Sequence, residues 1–287
     1  MGPGELRLAF FNGLDYNKSM NINFLHYFQP QPILFSIGPV TIRWYGFFLV
    51  LAFMIAFLVL SKIIDKKIPR EAIYDLVFYL VIGGLLGARL YEVFILDWWY
   101  YQNNLTEIWQ IWHGGLAIHG GIIGGLIALI WWSAKKKINF WLTLGTVAIV
   151  LPLGQAIGRW GNYFNQELFG QPISGWWGIP IEVANRPLVY MGKNYFQPVF
   201  LFESILNLIL FFVLLFLFKK QKSGKFLVAI YLFGYGLIRF LLEYIRIDET
   251  LVFGWWRYPQ WASVVMMVVA VILLIINIGS KNQKDKI

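Results

Sequence analysis

Seven long apolar stretches constrain the fold of this chain more than any other feature. They run approximately over residues 43–63, 72–96, 113–134, 140–159, 199–218, 226–246 and 261–278. A helix needs roughly 20 mostly apolar residues to cross the hydrocarbon core of a bilayer, and each stretch is close to that length. The first stretch starts too late and is too long to be a cleaved signal peptide. The pattern predicts an all-α integral membrane protein with about seven transmembrane helices, forming a single multi-pass domain over residues 1–287.

The positions of Lys and Arg predict the orientation of these helices. Fourteen of the 24 follow spans one, three, five and seven: Lys62, Lys66, Lys67, Arg70, Lys135, Lys136, Lys137, Lys219, Lys220, Lys222, Lys225, Lys281, Lys284 and Lys286. The opposite loops hold only Arg7, Lys18, Arg186, Lys193 and Arg257. Cytoplasmic loops carry the excess of positive charge, so we expect the N-terminus outside and the C-terminus in the cytoplasm. The net charge of +9 is then mostly a topology signal and needs no nucleic-acid partner.

The composition excludes several other classes of protein. Hydrophobic residues make up 59% of the chain and charged residues 14%, whereas soluble domains contain about 45–50% and 25%. The absence of Cys excludes disulfides, thiolate metal sites and a cysteine nucleophile. With three His and no HExxH motif, the sequence also argues against a zinc site. Trp- and Tyr-rich loops at 97–112, 176–195 and 254–261 predict interfacial belts or a small external cap.

Charged and polar residues occur at one depth of the predicted bundle. Arg89 and Arg239 lie about seven residues from the outer ends of spans two and six, and His119 lies about six residues into span three. At about 1.5 Å per residue, all three are about 10 Å below the outer surface. The same outer layer contains Arg43, Arg159 and Glu203. Arginine binds phosphate oxygens in pairs, so this layer predicts a phospholipid-headgroup site.

A structural explanation of these charges remains open at this point. Arg89 and Glu92 are three residues apart and Arg239 and Glu243 four apart, so each pair could neutralise itself on one helix face. His119 could be a general base, because histidine exchanges protons near neutral pH. It could equally be a structural residue or one that orients the substrate.

Glycines four residues apart recur in spans two, three and four. The pairs are Gly83/Gly87, Gly120/Gly124, Gly121/Gly125 and Gly154/Gly158. Small residues at this spacing favour close helix packing. Packing does not explain why His119 lies inside the run Gly114–Gly125, whereas a site that admits a lipid headgroup to the backbone would.

The end of span four carries the most specific pattern, residues 158–170, which read GRWGNYFNQELFG. It is either a polar helix cap or a binding motif. The stretch resembles the signature of the prolipoprotein diacylglyceryl transferases, Gly-Arg-x-Gly-Asn followed by Asn-x-Glu-x-x-Gly. Other matching segments follow in the same order as in that family: residues 36–39 and 43–46, Gly87-Ala88-Arg89, the glycine run around His119, and Gly234-Tyr235-Gly236 with Arg239, Glu243 and Arg246. The resemblance covers nearly the whole chain.

This resemblance implies a reaction in the bacterial cell membrane, at a site facing the outer leaflet. The sn-1,2-diacylglyceryl group of phosphatidylglycerol moves to the lipobox cysteine thiol in a prolipoprotein signal peptide, and sn-glycerol 1-phosphate leaves. This is the first step of lipoprotein maturation, and it needs no cofactor and no metal. The implied partners are phosphatidylglycerol, prolipoprotein signal peptides and the lipid bilayer.

The resemblance also implies roles for individual residues. His119 and Arg239 are the expected catalytic residues. The expected ligands of phosphatidylglycerol are Arg159, Arg239, Tyr45, Asn162 and Glu167, with support from Arg89, Glu203, Glu243 and Gly170. The chain departs from the family pattern at Val199 and Phe202, where Ser or Thr and Tyr are usual, so two hydroxyls are missing.

Other functions are compatible with seven spans. A lipid or anion transporter would have discontinuous helices and polar residues that reach the midplane, whereas the pattern here predicts polar groups in the outer half alone. A lipid-binding scaffold would transfer no lipid to a thiol. An intramembrane serine protease is disfavoured, because no GxSG-like turn with a partnering His is found.

Overall fold

The computed structural model describes residues 24–38, 40–63, 68–248 and 250–284. Arg7, Lys18, Pro39, Lys66, Lys67 and Lys286, which were singled out above, lie outside these ranges. Seven helices are long and apolar enough to cross a membrane, which confirms the all-α multi-pass fold. They are α1 (Trp44–Ile63), α2 (Arg70–Tyr91), α3 (Ile118–Lys136), α4 (Phe140–Phe164), α5 (Val199–Lys219), α6 (Gly224–Leu242) and α7 (Tyr258–Lys284). The apolar span of α2 continues through a π-helical turn, Glu92–Leu96.

Short strands and single helical turns connect these helices. The strands form three antiparallel pairs: β1 (Ile33–Ile37) with β2 (Val40–Arg43), β3 (Ile179–Pro180) with β4 (Tyr195–Phe196), and β5 (Val252–Phe253) with β6 (Trp256–Arg257). A four-residue helix, Phe24–Tyr27, precedes β1, and another, Trp98–Tyr101, follows α2. Turns of 3₁₀ helix occupy Leu105–Trp109, Ile111–His113, Val183–Asn185 and Leu188–Tyr190.

Two helix ends differ from the sequence prediction in ways that matter for the site. Helix α3 begins at Ile118 rather than near 113, because Gly114 and Gly115 have φ angles of 99° and 74° that an α-helix cannot accommodate. His119 is therefore the second residue of its helix, and the prediction that it lies six residues into a span is wrong. Helix α4 continues past 159 to Phe164, so residues 158–164 of the pattern at 158–170, called the GRWGN motif below, are helical.

The chain divides into two compact units. The first unit comprises residues 1–56, 149–221 and 229–287, and the second comprises 57–148 and 222–228. In the second unit, helices α2 and α3 pack closely through their glycines. A Cβ atom at Gly83 would lie 2.6 Å from the Ala128 Cβ, and one at Gly87 would lie 2.8 Å from the Gly124 Cα. The close packing predicted for the glycines of spans two and three is confirmed at these positions.

Three other glycines of the predicted pairs do not pack in this way. No described atom lies within 4 Å of the position that a Cβ would occupy at Gly125, Gly154 or Gly158. The prediction that Gly154 and Gly158 pack closely against a neighbouring helix is therefore wrong. The four-residue spacing fixes only which helix face the glycines share, and at Gly154 and Gly158 no described neighbour comes close to that face of α4.

In the first unit, an aromatic core joins the end of α4 to the start of α5. Its buried members are Tyr163, Phe169, Ile179, Ile181, Phe196 and Phe200. The Tyr163 and Phe200 rings stack with centroids 4.7 Å apart. Burying a side chain of this size contributes roughly 1.5–3 kcal/mol. This core therefore anchors the connecting segment 165–198, which carries β3 and β4, and it fixes the helix ends that bear the site residues.

Candidate active site

The centre of the candidate site is one carboxylate that two arginines share. The three side chains come from three helices of the first unit. Glu203, in the second turn of α5, has no exposed surface. Its Oε1 accepts a hydrogen bond of 2.6 Å from Arg159 Nη2 on α4, and its Oε2 accepts one of 3.3 Å from Arg239 Nη1 on α6. A buried carboxylate is stable only when it is paired and hydrogen-bonded. Glu203 thus holds the two guanidinium groups beside each other.

A second buried carboxylate extends this network beyond the end of α6. Glu243 Oε2 lies 3.4 Å from Arg239 Nη2 and 3.8 Å from Arg246 Nε, and its Oε1 lies 3.1 Å from Arg257 Nη1. Arg246 also pairs with Asp248, at 2.5 Å. The ion pair of Arg239 with Glu243 that their spacing predicts is formed. Each of the two residues also pairs with a further charged side chain.

Among the residues that the structure describes, the charges of this network do not cancel. Within these ranges, the four guanidinium groups of Arg159, Arg239, Arg246 and Arg257 pair with three carboxylates, those of Glu203, Glu243 and Asp248. In a largely buried setting, an unbalanced positive charge is unfavourable until an anion joins it. Arg159 also keeps its buried Nε–H without a hydrogen-bond partner among the described residues. The cluster can therefore accept an anion through a free N–H donor and its excess charge.

The polar residues of the GRWGN motif form a chain of hydrogen bonds that starts at Arg159. Its Nη1 donates to Asn162 Oδ1 at 3.3 Å, and Asn162 Nδ2 donates to Glu167 Oε2 at 3.0 Å. The other Glu167 oxygen accepts from Asn165 Nδ2 at 3.1 Å. Asn162 is buried, whereas Glu167 is exposed. Glu167 therefore fixes the orientation of Asn162, which in turn orients Arg159.

Two glycines let other parts of the chain approach the motif. A Cβ at Gly161 would lie 3.0 Å from Cδ2 of Tyr45, so the glycine lets this exposed ring lie against α4. The Gly170 N–H donates to the Gln197 carbonyl at 2.9 Å, and a Cβ there would lie 2.8 Å from the Ile245 carbonyl oxygen. Gly170 therefore lets these segments of the chain pack closely together.

Val199 and Phe202, which depart from the family pattern, make apolar contacts. Val199 is fully buried, and its Cγ2 would lie 2.8 Å from a Cβ at Gly170. The Phe202 ring lies 5.9 Å from the Trp177 ring. Both side chains thus pack where the family usually has hydroxyls.

Arg89 lies in the second unit and binds a loop rather than the cluster described above. Its side chain is buried, and Nε donates to the Ile108 carbonyl at 2.9 Å. Nη1 donates to the carbonyls of Gly114 at 2.6 Å and Gly115 at 2.8 Å, and Nη2 donates to the Glu107 carbonyl. These bonds fix the conformation of the loop that leads into α3. The partners of Arg89 are thus backbone carbonyl oxygens, and its supporting role at the site stays a prediction.

The possible ion pair of Arg89 with Glu92 is not formed within the described ranges. His119 follows the loop that Arg89 holds, and its ring is exposed, 6.0 Å from the Tyr91 ring. The imidazole makes no hydrogen bond to any residue that the structure describes. The predicted site residues thus fall into two groups. The first unit gathers Tyr45, Asn162, Arg159, Glu167, Gly170, Glu203, Arg239 and Glu243, and the second unit holds Arg89 and His119.

Sequence reasoning missed a polar pair and underrated one arginine. Gln155 Nε2 lies 3.0 Å from the Tyr231 hydroxyl, one turn before Arg159 on α4 and two turns before Arg239 on α6. Polar side chains therefore extend beyond the arginine cluster, towards the middle of α4 and α6. That polar groups lie in the outer half of the membrane stays a prediction. The sequence feature that could have indicated this pair is the recurrence of polar residues every four positions along α4 and α6. The sequence places Arg257 in a loop and indicates no partner for it, whereas the structure pairs it with Glu243.

Comparison with known proteins identifies the family. The sequence profile of the family described as prolipoprotein diacylglyceryl transferase matches residues 32–276. Similar proteins named phosphatidylglycerol–prolipoprotein diacylglyceryl transferase include those of the following three bacteria. The Synechococcus elongatus protein is 41% identical over 90% of this chain and 91% of its own length. The Symbiobacterium thermophilum protein is 38% identical over 85% and 91%, and the Acaryochloris marina protein 42% identical over 83% and 87%. On these matches, this multi-pass membrane protein belongs to the prolipoprotein diacylglyceryl transferase family.

Proposed function

We propose that this protein transfers the sn-1,2-diacylglyceryl group from phosphatidylglycerol to the lipobox cysteine of prolipoproteins, acting as one multi-pass domain. The observation that carries the proposal is the placement of Arg159 and Arg239 on the two oxygens of buried Glu203. A phosphodiester is an anion with oxygens that suit guanidinium forks. The excess positive charge of the cluster supports phosphate as the group bound there.

The reaction needs a cationic site for its leaving group. The thiolate sulfur attacks the glycerol CH₂ carbon that is bonded to the phosphate oxygen. A C–S bond forms, the C–O bond breaks, and its electron pair leaves on the oxygen of sn-glycerol 1-phosphate. Preorganised donors stabilise charge that develops in the transition state, and removing one of them typically costs about 10²–10³-fold in rate. Arg159 and Arg239 supply those donors, while Glu203 and Glu243 hold them in place.

The thiol must lose its proton before it attacks, because the thiolate is the nucleophile. His119 is the proposed acceptor of that proton. Its imidazole is exposed at the start of α3 and is not engaged by any described residue, so a ring nitrogen is free. The alternative role is to orient the donor or the peptide. The loop bonds of Arg89 position His119 in either role.

The proposed orientation places the site in the outer leaflet. The Lys-rich loops at 135–137 and 219–225 are then cytoplasmic, and residues 165–198 are external. The donor phosphate reaches the arginines from the outer headgroup layer, and the signal peptide reaches the site from the bilayer. Tyr45, Asn162 and Glu167 complete the donor site through their contacts with the GRWGN helix.

The test is a reconstituted assay. Purified protein in phosphatidylglycerol vesicles receives a lipobox peptide, and glycerol phosphate release and peptide mass are followed together. We expect equal amounts of glycerol phosphate and of thioether-linked diacylglyceryl peptide. Arg186→Ala is the matched control, because the hydrogen bonds of this arginine to described residues go to carbonyls of the connecting segment. Wild-type protein that releases no glycerol phosphate and leaves the peptide unmodified would refute the proposal.

A further inference from the structure

The polar residues of the first unit continue past the arginine cluster towards the middle of the membrane span. On α4, Gln155 lies four residues before Arg159, and on α6, Tyr231 lies eight residues before Arg239. Residues four apart share a helix face, so both runs face the same interior. Gln155 and Tyr231 are half-buried and bonded to each other at 3.0 Å. Polar groups at this depth are costly, and the mechanism described above does not use them.

This pair keeps an unused hydrogen-bond donor in either orientation of the amide. When Gln155 Nε2 donates to the Tyr231 oxygen, the phenolic O–H remains free, and the buried Gln155 Oε1 has no partner among the described residues. When the amide is turned, the phenol donates to Oε1 and the amide N–H₂ remains free. A group that only accepts hydrogen bonds is therefore the natural partner of the pair.

The surface next to this pair is open. Gly154 and Gly158 directly precede Gln155 and Arg159, and no described atom lies within 4 Å of a Cβ built on either glycine. The strip along these two glycines can admit an acyl chain alongside α4. The strip and the polar pair thus lie next to each other on one helix.

The distance along α4 from Arg159 to Gln155 matches the separation of the phosphate and the ester carbonyls in a glycerophospholipid. Its ester carbonyls lie a few bonds from the phosphate, on the side of the acyl chains. Four residues of helix rise by about 6 Å, which is the step from Arg159 to Gln155. With a phosphate on Arg159, an ester carbonyl therefore reaches the level of Gln155. An ester carbonyl only accepts hydrogen bonds, and no water competes for it in the hydrocarbon layer.

We propose that Gln155 and Tyr231 bind an ester carbonyl of the diacylglyceryl group, with its acyl chain along Gly154 and Gly158. This inference rests on the proposed function, because it assumes that the donor phosphate lies on Arg159. The pair then makes the enzyme selective for donors with ester-linked chains over donors with ether-linked chains. An ether donor keeps the phosphate, the glycerol head and the bond that breaks, but it has no carbonyl.

The experiment compares diacyl and dialkyl-ether phosphatidylglycerol of equal chain length in the reconstituted assay. A single neutral hydrogen bond contributes about 0.5–1.5 kcal/mol, and 1.4 kcal/mol is a factor of ten. We expect the wild-type kcat/KM to be about two to twelve times higher for the ester donor. Glycerol phosphate release measures both rates directly.

Gln155→Leu separates the proposed contact from a general effect of the ether linkage. The variant should lower kcat/KM for the ester donor and leave the ether rate unchanged, so the ratio falls. The ether rate reports that the variant is folded. Tyr231→Phe should also lower the ratio, since it removes the phenolic O–H, and the double variant should bring the ratio to about one because neither donor remains. The matched control is Thr146→Val on the same helix, which should keep the wild-type ratio. Among the described residues, the Thr146 hydroxyl bonds within its own helix, to the Leu142 carbonyl at 2.6 Å.

Two results would overturn the inference while leaving the proposed function intact. The first is equal wild-type rates with the two donors. The second is an unchanged ester-to-ether ratio in Gln155→Leu. If the wild-type protein transferred no lipid from the ester donor, the proposed function would fail and this inference with it.

Discussion

Glu203→Gln tests the central contact of the site, because it removes one charge and keeps the side-chain shape. The carboxylate has no exposed surface and accepts hydrogen bonds from Arg159 at 2.6 Å and from Arg239 at 3.3 Å. An amide has one accepting oxygen. We expect that oxygen to keep the shorter bond, to Arg159. The amide N–H₂ then faces Arg239 Nη1, donor against donor, and Arg239 loses its link to α5.

The expected loss of stability in Glu203→Gln depends on which hydrogen-bond and ion-pair partners each arginine keeps. Removing one partner of a buried ion pair costs about 3–5 kcal/mol of the free energy of unfolding. Arg159 keeps a hydrogen bond, and Arg239 keeps Glu243 at 3.4 Å. We therefore expect the lower end of that range, about 3 kcal/mol. Loss of one preorganised cation at the leaving group should also reduce kcat about 10²-fold.

Two measurements check this prediction on the same sample. Titration with denaturing detergent gives the change in the free energy of unfolding, and the reconstituted transfer assay gives kcat. Glu167→Gln is the comparison variant, since that carboxylate is exposed and an amide oxygen can still accept from one of Asn162 and Asn165. Its stability loss should stay below about 1 kcal/mol.

The outcomes separate two roles of Glu203. A stable Glu203→Gln protein with wild-type kcat would refute the argument that this carboxylate organises the site. A destabilised protein with wild-type kcat would leave Glu203 as a structural residue only. The combined loss supports its role in holding Arg159 and Arg239 for catalysis.

Four further predictions address the other parts of the site. Arg159→Lys should lose most transfer activity, because a point charge cannot replace a bidentate fork; wild-type turnover by both Arg159→Lys and Arg159→Ala would contradict this. If His119 is the base, His119→Gln should lose about 10²–10⁴-fold near neutral pH. That loss should shrink as the pH approaches the ordinary thiol pKa of about 8.5, where the peptide ionises unaided; a small, pH-independent loss would exclude the base role. Gly154→Leu should raise the KM for phosphatidylglycerol by filling the open strip, whereas Gly125→Leu, at an equally open helical glycine, should not; equal KM values would argue against the strip. A Cys introduced near Lys193 should react with an impermeant reagent from outside the cell, and reaction from the cytoplasmic side alone would reverse the proposed topology.

Hydropathy and short-range spacing predicted the parts of this molecule that depend on local sequence. The seven helices follow from apolar length, and the contact of Arg239 with Glu243 follows from a four-residue step on one helix. Spacing alone could not distinguish Gly120 and Gly124, which pack against α2, from Gly154 and Gly158, which face open space. The difference lies in the neighbouring helix, which spacing does not specify.

The remaining features depend on contacts between residues far apart in the sequence. Arg89 binds carbonyl oxygens 18 to 26 residues away, and every residue type has such an oxygen, so no side-chain pattern could indicate these partners. His119 lies at the start of α3 because two glycines before it adopt positive φ angles, which hydropathy does not register. Gln155 and Tyr231 are 76 residues apart. Their individual polarity was visible in the sequence, but their pairing was not.

The balance of charge in the first unit explains why buried carboxylates belong in a site for an anion. Without Glu203 and Glu243, four guanidinium groups would repel one another and point apart. With a carboxylate for every arginine, no charge would remain to attract a phosphate. Among the described residues, three carboxylates pair with the four arginines, which leaves one positive charge, equal in magnitude to the charge of a phosphodiester donor. In the proposed mechanism the leaving phosphate gains negative charge as the C–O bond breaks, so the same arginines would bind the transition state more strongly than the donor, and that difference would accelerate the reaction.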